Sequence, residues 1–570
     1  MIISVLFIAF EPAMAQNTPP KFSVNGAARS IFFLDDLQQD LAEPDTITGP
    51  KQNSAHAMVD VGINVRPADN LEVQGMVRIR NDFGGFWGAG VTFDVRQLYV
   101  KGVVKDIVRY QLGDINYQLT PYTFYNNDQE LYATAPVLFS HLSDAVNYDN
   151  FYNIGNSWRQ QGAAVDFGLN FKSIVESVDF NLFTSRVLPS NASTVSDRLF
   201  STFNMQVVQS KNVTLGFNYA NLYDLAGTSR NDILLNNPVI TGTANVNYNI
   251  GSITLRGELE TGTSSTTYIE ATDAPEWSDG FFDGRIHVTY DPVNVTLTAG
   301  FKSVGPEFRS PGAQTKRINF GALPAAFDRI TNDQVLRPLT MLDIVRETSL
   351  FNLQLQNGLM AYDPRYDNIT PYGAATPNRQ GFHVGLGYVI PGDWMELGAT
   401  MHALTEVRGQ GTTNLRSFNR IEAEAVIHAG EKFFANERLL DISFNSRSDA
   451  TSRAAEIDGI PVVDLSTQVL GVGIEAEIIS QLDIVVGFQS HTYSGFEFSN
   501  VTDNFGQIIN FRELEVDGSQ QMLGAGLRFR FSDKAYLTGQ WSSFSTVDTL
   551  NEILPDYDIN TISMIFSMYF

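Results

Sequence analysis

Arginines and carboxylates recur on alternate positions through much of this 570-residue chain. In 71–82, LEVQGMVRIRND, Glu72, Arg78 and Arg80 share one parity and Leu71, Val73, Val77 and Ile79 the other. In 58–66, Asp60 and Arg66 oppose Val59, Val61, Ile63 and Val65. Arg256 and Glu258 oppose Ile253, Leu255 and Leu259; Arg420, Glu422 and Glu424 oppose Ile421, Ala423 and Ala425. Arg528 and Arg530 oppose Leu523, Leu527, Phe529 and Phe531. Groups of this kind act by their fields. Arrays of opposite sign facing across water select and steer ions. In contact, the same groups form salt bridges that stiffen a filled interior.

Bond-making chemistry has weaker candidates. His287, His383, His402, His428 and His491 fall on the polar parity, and imidazole is a common metal ligand. They lie on different segments without an HxxxH spacing, so neither a metal nor a cofactor is expected. Serines and carboxylates are plentiful, but no G-x-S-x-G occurs and no nucleophile–base pair stands out, so no enzyme is expected. GGFWGAG at 84–90 precedes a strand pattern, not a helix, and reads as a hairpin tip. DPRYDN at 363–368 and DAPEW at 273–277 do not match a calcium loop and read as solvated loops. Asp114 and Pro121, in LGDINYQLTPYTFY, read as structural.

The elements that position these residues are strands. A period of two with charge on one face means one apolar and one wet side. Tight turns punctuate the pattern: PADN at 67–70, KD at 105–106, GS at 251–252, PGD at 391–393, SQ at 480–481 and SDK at 532–534. They alternate with long, polar connections. Mean hydropathy is −0.10, and no apolar run reaches the ~18–20 residues of a spanning helix. There is no cysteine, which excludes disulfides and thiolate metal sites. A net charge of −25 disfavours nucleic acid as a partner. IISVLFIAF followed by AMAQ reads as a signal peptide over 1–15, with Ala13 and Ala15 at a small-x-small cleavage site. The fold class expected for 16–570 is all-β: a single antiparallel transmembrane β-barrel of about 22 strands.

Two connections exceed what a bare pipe needs, about 116–160 and about 306–380. Loops this long are uncommon and often functional. Tyr122, Phe124, Tyr125, Tyr148, Trp158 and Arg159 make the first an inward-folded constriction by expectation. In the second, Met341, Leu342, Ile344 and Val345 fit a short amphipathic helix.

The chain ends TISMIFSMYF, with Met564, Phe566, Met568 and Phe570 on one parity. This strand resembles the C-terminal assembly signal of Gram-negative outer-membrane β-barrel proteins, and the hairpin pattern is porin-like. The resemblance implies a bacterial outer membrane, with short turns periplasmic and long loops extracellular. It also implies contact with outer-membrane lipid and, during biogenesis, with the barrel-assembly machinery. Strands begin near Phe22, which leaves no room for an N-terminal plug. The function expected is a channel for diffusion or selective uptake of a small hydrophilic solute. The alternative is a non-conducting structural or assembly component that binds a protein partner, a surface lipoprotein or a secreted protein.

Overall fold

The computed structural model describes residues 20–39, 51–83, 90–127, 136–150, 155–172, 174–269, 276–315, 339–347, 350, 355–434, 438–455, 461–502, 508–550 and 556–570. The signal-peptide stretch and most of GGFWGAG lie outside them, as does most of DAPEW. Twenty-two strands form one sheet. They are β1 Phe22–Gln39, β2 Lys51–Ala68, β3 Leu71–Asp82, β4 Val91–Val104, β5 Val108–Tyr117, β6 Trp158–Asn170 and β7 Ser177–Leu188. Then come β8 Arg198–Ser210, β9 Val213–Asp224, β10 Leu234–Ile250, β11 Ile253–Ile269, β12 Trp277–Tyr290, β13 Val295–Val304, β14 Arg379–Val389 and β15 Met395–Thr405. The rest are β16 Ser417–His428, β17 Leu440–Arg453, β18 Val463–Ile479, β19 Leu482–Thr502, β20 Ile508–Ser532, β21 Ala535–Asp548 and β22 Tyr557–Tyr569. Three short helices are α1 Val137–Asn150, α2 Met341–Arg346 and α3 Ala429–Phe433.

Each strand pairs antiparallel with the next, and β1 pairs with β22, so the sheet closes. Every quoted turn lies at one rim with the start of β1 and the end of β22, and both long loops spring from the other. At the turn after β4, Lys105 (φ 51°) and Asp106 (φ 56°) are both left-handed. That is the backbone of a two-residue hairpin, whose twist matches the strands it joins.

Closure has its own device. Gly26 and Phe570 exchange both backbone hydrogen bonds at 3.0 Å. The Phe570 ring lies against Gly26, 2.7 Å from where a Cβ would stand. The terminal phenylalanine thus caps the seam, and only glycine leaves room beneath it. Ile562, Met564 and Phe570 are exposed on the outer wall.

On β20 the outer wall is apolar from Leu523 to Phe531, about 27 Å along the strand and within the span of a transmembrane strand. Beyond Leu523 it turns polar. Inside, 22 strands at ~4.8 Å spacing and ~40° tilt enclose a barrel roughly 44 Å across between backbones. Wall side chains cannot fill that width. The buried clusters are built where wall meets infolded loop.

Candidate functional site

All twelve charged residues expected on the inner face lie on the inward parity of their strands, and they pair along the wall. Arg78 grips Asp60 through two bonds of 2.6 and 2.5 Å, with Asp60 fully buried. Glu72 takes Arg66 and Lys101, each at 2.8 Å. Arg80 meets Asp82 at 2.9 Å, and Arg256 meets Glu258 at 2.5 Å. Arg420 holds Asp449 and Asp367 at 2.7 and 2.8 Å. Glu422 accepts from Thr400 at 3.0 Å, and Glu424 packs over Gly398. Arg528 pairs with Glu475, and Arg530 with Asp483 at 2.8 Å. These partners lie on the same strand, on a strand one or two places away, or in a loop. Of the two readings of such charges, the geometry matches a stitched wall more than opposed arrays.

The first loop enters the barrel. Tyr122 donates to Asp283 at 2.7 Å, and its ring stacks on Phe281 at 3.9 Å. Phe124 packs on Phe200, Phe183 and Trp158. Tyr125 donates its amide to the Gly312 carbonyl at 2.9 Å, and Trp158 its indole N–H to the same carbonyl at 3.0 Å. Trp158 and Arg159 belong to β6 instead of the loop. Arg159 donates to the Arg96 carbonyl and reaches Asp114 at 3.4 Å. Asp114 also accepts from the Leu98 amide at 2.6 Å, consistent with its structural reading.

Sequence reasoning missed α1, although its signal is present. Leu138, Phe139, Leu142, Ala145 and Val146 are buried, and their spacing is a helical stripe. The start of α1 sits on a bare strip of wall. Gly473, Gly487 and Gly524 are in direct register across β18, β19 and β20. A Cβ on Gly487 would lie 3.2 Å from the Cβ atoms of Leu138 and Pro136, and one on Gly524 2.5 Å from Leu138 Cδ2. The far end is held by basic side chains. Arg29 donates to Ala145 O at 3.1 Å and to Asp149 at 2.6 Å, and His56 meets Asp149 at 3.1 Å. Arg78 donates to the Asp149 carbonyl and Arg96 to that of Tyr148. The guanidinium of Arg29 also lies 5.2 Å from the Tyr148 ring centre. Arginines at a helix C-terminus satisfy its free carbonyls and oppose its dipole.

The second loop packs against α1 and the same stretch of wall. Its short helix α2 forms as the sequence predicts, opened by a Thr340–Asp343 capping box. Arg346 grips Asp35 with two bonds of 2.9 Å. Tyr366 donates to Gln520 at 2.9 Å, and His491 bonds the Arg365 carbonyl at 2.9 Å. Arg379 donates to the carbonyls of Asn368 and Ile369 at 3.0 Å and lies over Phe418. DPRYDN is therefore not a solvated loop. Asp363 pairs with Arg365 at 2.6 Å, and Arg365 and Asn368 are buried against the wall. Burial raises the Asp363 carboxyl and Arg365 more than offsets this, leaving it below the usual range.

The expected histidines are wall residues: His287 bonds Thr298, His428 bonds Asp441, and His383 stacks on His402. Among the described residues no group of three metal-capable side chains converges.

His141 of α1 yields a pH prediction. Burial and then the nearby Arg528 guanidinium lower it from 6.5 to about 4. Its Nδ1 faces Arg528 of β20, which is itself paired with Glu475, and its ring packs near Tyr536 of β21. A depressed folded pKa means the neutral form is required. The docking of α1 is thus fully supported above pH 6.5 and weakens as pH falls towards 4. Protection factors over 137–150, taken relative to the intrinsic exchange rate at each pH, are expected to fall across that window as pH drops, and to stay flat in His141→Gln. A flat wild-type profile would contradict the assignment.

No family model matches this chain, and no curated protein sequence matches it. Among the solved structures that align with nearly the whole chain are the following three. OccK8 (OprE) of Pseudomonas aeruginosa aligns at 10% identity and TM-score 0.38, over 96% of this chain and 98% of that one. The translocation pore of the P pilus usher PapC aligns at 10% identity and TM-score 0.38, over 96% and 99%. OmpT, an outer membrane protein of Vibrio cholerae, aligns at 8% identity and TM-score 0.28, over 97% and 100%. At these identities no solute, cargo or residue role carries across.

Proposed function

We propose that the chain is a bacterial outer-membrane channel for small hydrophilic solutes, narrowed by its own two infolded loops. The observation that carries this reading is the attachment of both loops to the inner wall of a closed barrel. A loop serving only as a surface cap has no use for bonds from Tyr122, Arg346 or Tyr366 to inward strand residues. The inward face is otherwise polar and charged, the lining that water and hydrophilic solutes need. The loops subtract from the lumen, and on this reading solute passes beside α1 and the aromatic cluster around Phe124.

The second reading, a non-conducting assembly component, draws support from the depth of that packing. Phe124, Phe308 and Ile369 are fully buried. Planar-bilayer recording in a salt gradient separates the two. A channel gives discrete current steps with a reversal potential shifted towards cations, as the net acidity favours. Silence from a folded, heat-modifiable barrel would refute the channel and leave the scaffold.

A further inference from the structure

Where the outer wall turns polar, β18–β21 carry a shallow cleft of about 360 Å³. Two rows of paired residues line it. Ser466 opposes Ser494, which opposes Asp517; in the next row Thr492 opposes Ser519. Thr549 closes the side, donating its hydroxyl to the Asp517 carboxylate at 2.7 Å. The side chains of Ser466, Thr492, Ser494, Asp517 and Ser519 share the parity of the exposed Leu470, Leu523 and Leu527, so the cleft opens on the outside of the barrel. Below it the same strands present Val472, Phe488 and Leu523 to lipid.

Its height and its chemistry restrict the occupant. At ~3.4 Å per residue and ~40° of tilt, Asp517 stands roughly 15 Å above Leu523. The polar layer of a phospholipid leaflet is only about 5–8 Å deep. At that height a lipid head with several hydroxyls can lie along the cleft. The lining is mostly hydroxyls, with Asp517 its only charged residue and no cation to bind phosphate. A volume of about 360 Å³ lies at the small end of ligand sites, the scale of a small sugar.

We propose that this cleft binds a saccharide, presented as the headgroup of an outer-leaflet glycolipid. The lipid source rests on the outer-membrane reading; the saccharide chemistry does not. The test is native mass spectrometry of the full chain in phosphatidylethanolamine nanodiscs holding a minor fraction of digalactosyl diacylglycerol. The expected result is enrichment of the glycolipid on the protein by about tenfold over its share of the bilayer. In the double variant Thr492→Leu, Ser519→Leu, which alters only the outer face, enrichment falls to that share, with heat-modifiability confirming the fold. Equal retention of both lipids, or enrichment unchanged in the variant, would overturn the proposal. Displacement by an equal amount of free digalactose would overturn the lipid-borne half and assign a free sugar. Fractionation that placed the chain outside the outer membrane would remove the lipid source without altering what the purified barrel binds.

Discussion

Gly487→Leu is expected to raise the unitary conductance severalfold while the barrel still assembles. Gly487 is the middle of the three registered glycines beneath α1. A Cβ there already meets Leu138, Pro136 and Phe139 at 3.2–3.3 Å. A leucine needs three more heavy atoms in the same space, so the helix must leave the strip. The wall itself keeps its ladder, because the new side chain points inward and all backbone pairs remain. A helix is ~10 Å across, so its departure opens at least about 80 Å² of cross-section. Bilayer recording reads the conductance, and a heat-shift gel reads assembly. Wild-type conductance from an assembled Gly487→Leu barrel would mean that α1 does not bound the aperture.

Arg420→Ala is expected to free the second loop from β16 and β17. Arg420 is buried and satisfies two carboxylates at once, Asp449 on the wall and Asp367 in the loop. Its loss takes the 2.8 Å partner from Asp367 and leaves Asp449 with Arg447 at 3.5 Å. Removing one partner of a buried ion pair costs about 3–5 kcal/mol. The loop can escape that cost by lifting off. Limited trypsin digestion is the check: Arg365, buried in the intact protein, becomes a cleavage site. The triple variant Arg420→Ala, Asp367→Asn, Asp449→Asn removes the stranded charge and should restore protection. Protection in Arg420→Ala alone would show that the network does not hold the loop.

Much of the barrel was legible in the chain because it depends on a period of two. The run from Leu71 to Asp82 states which residues face in, and turns such as KD and SQ state where strands reverse. The loops were legible only as lengths. Nothing in the spacing of Tyr122 or Phe124 says that they meet β12 and β8, since those contacts join segments far apart in sequence. The helical stripe of 137–150 was present, but flanking Asn, Asp and Tyr made the whole stretch read as loop. The glycine strip was invisible for another reason. Gly473, Gly487 and Gly524 interrupt the polar parity one at a time, and only strand register brings them together. Reading DPRYDN as solvated failed because its charges are satisfied inside the barrel, by each other and by the wall.

The most direct test of the account is whether α1 rests on that strip. The chain has no cysteine, so introduced ones carry no background. Leu138→Cys and Gly487→Cys together place two Cβ positions 3.2 Å apart, about 0.3 Å short of the usual range for a disulfide, which a small shift of α1 restores. The account predicts rapid, near-complete cross-linking in the assembled barrel, with a conductance when oxidised close to that of wild type. Two free thiols after mild oxidation of a folded barrel would contradict it, and would place the first loop away from the inner wall.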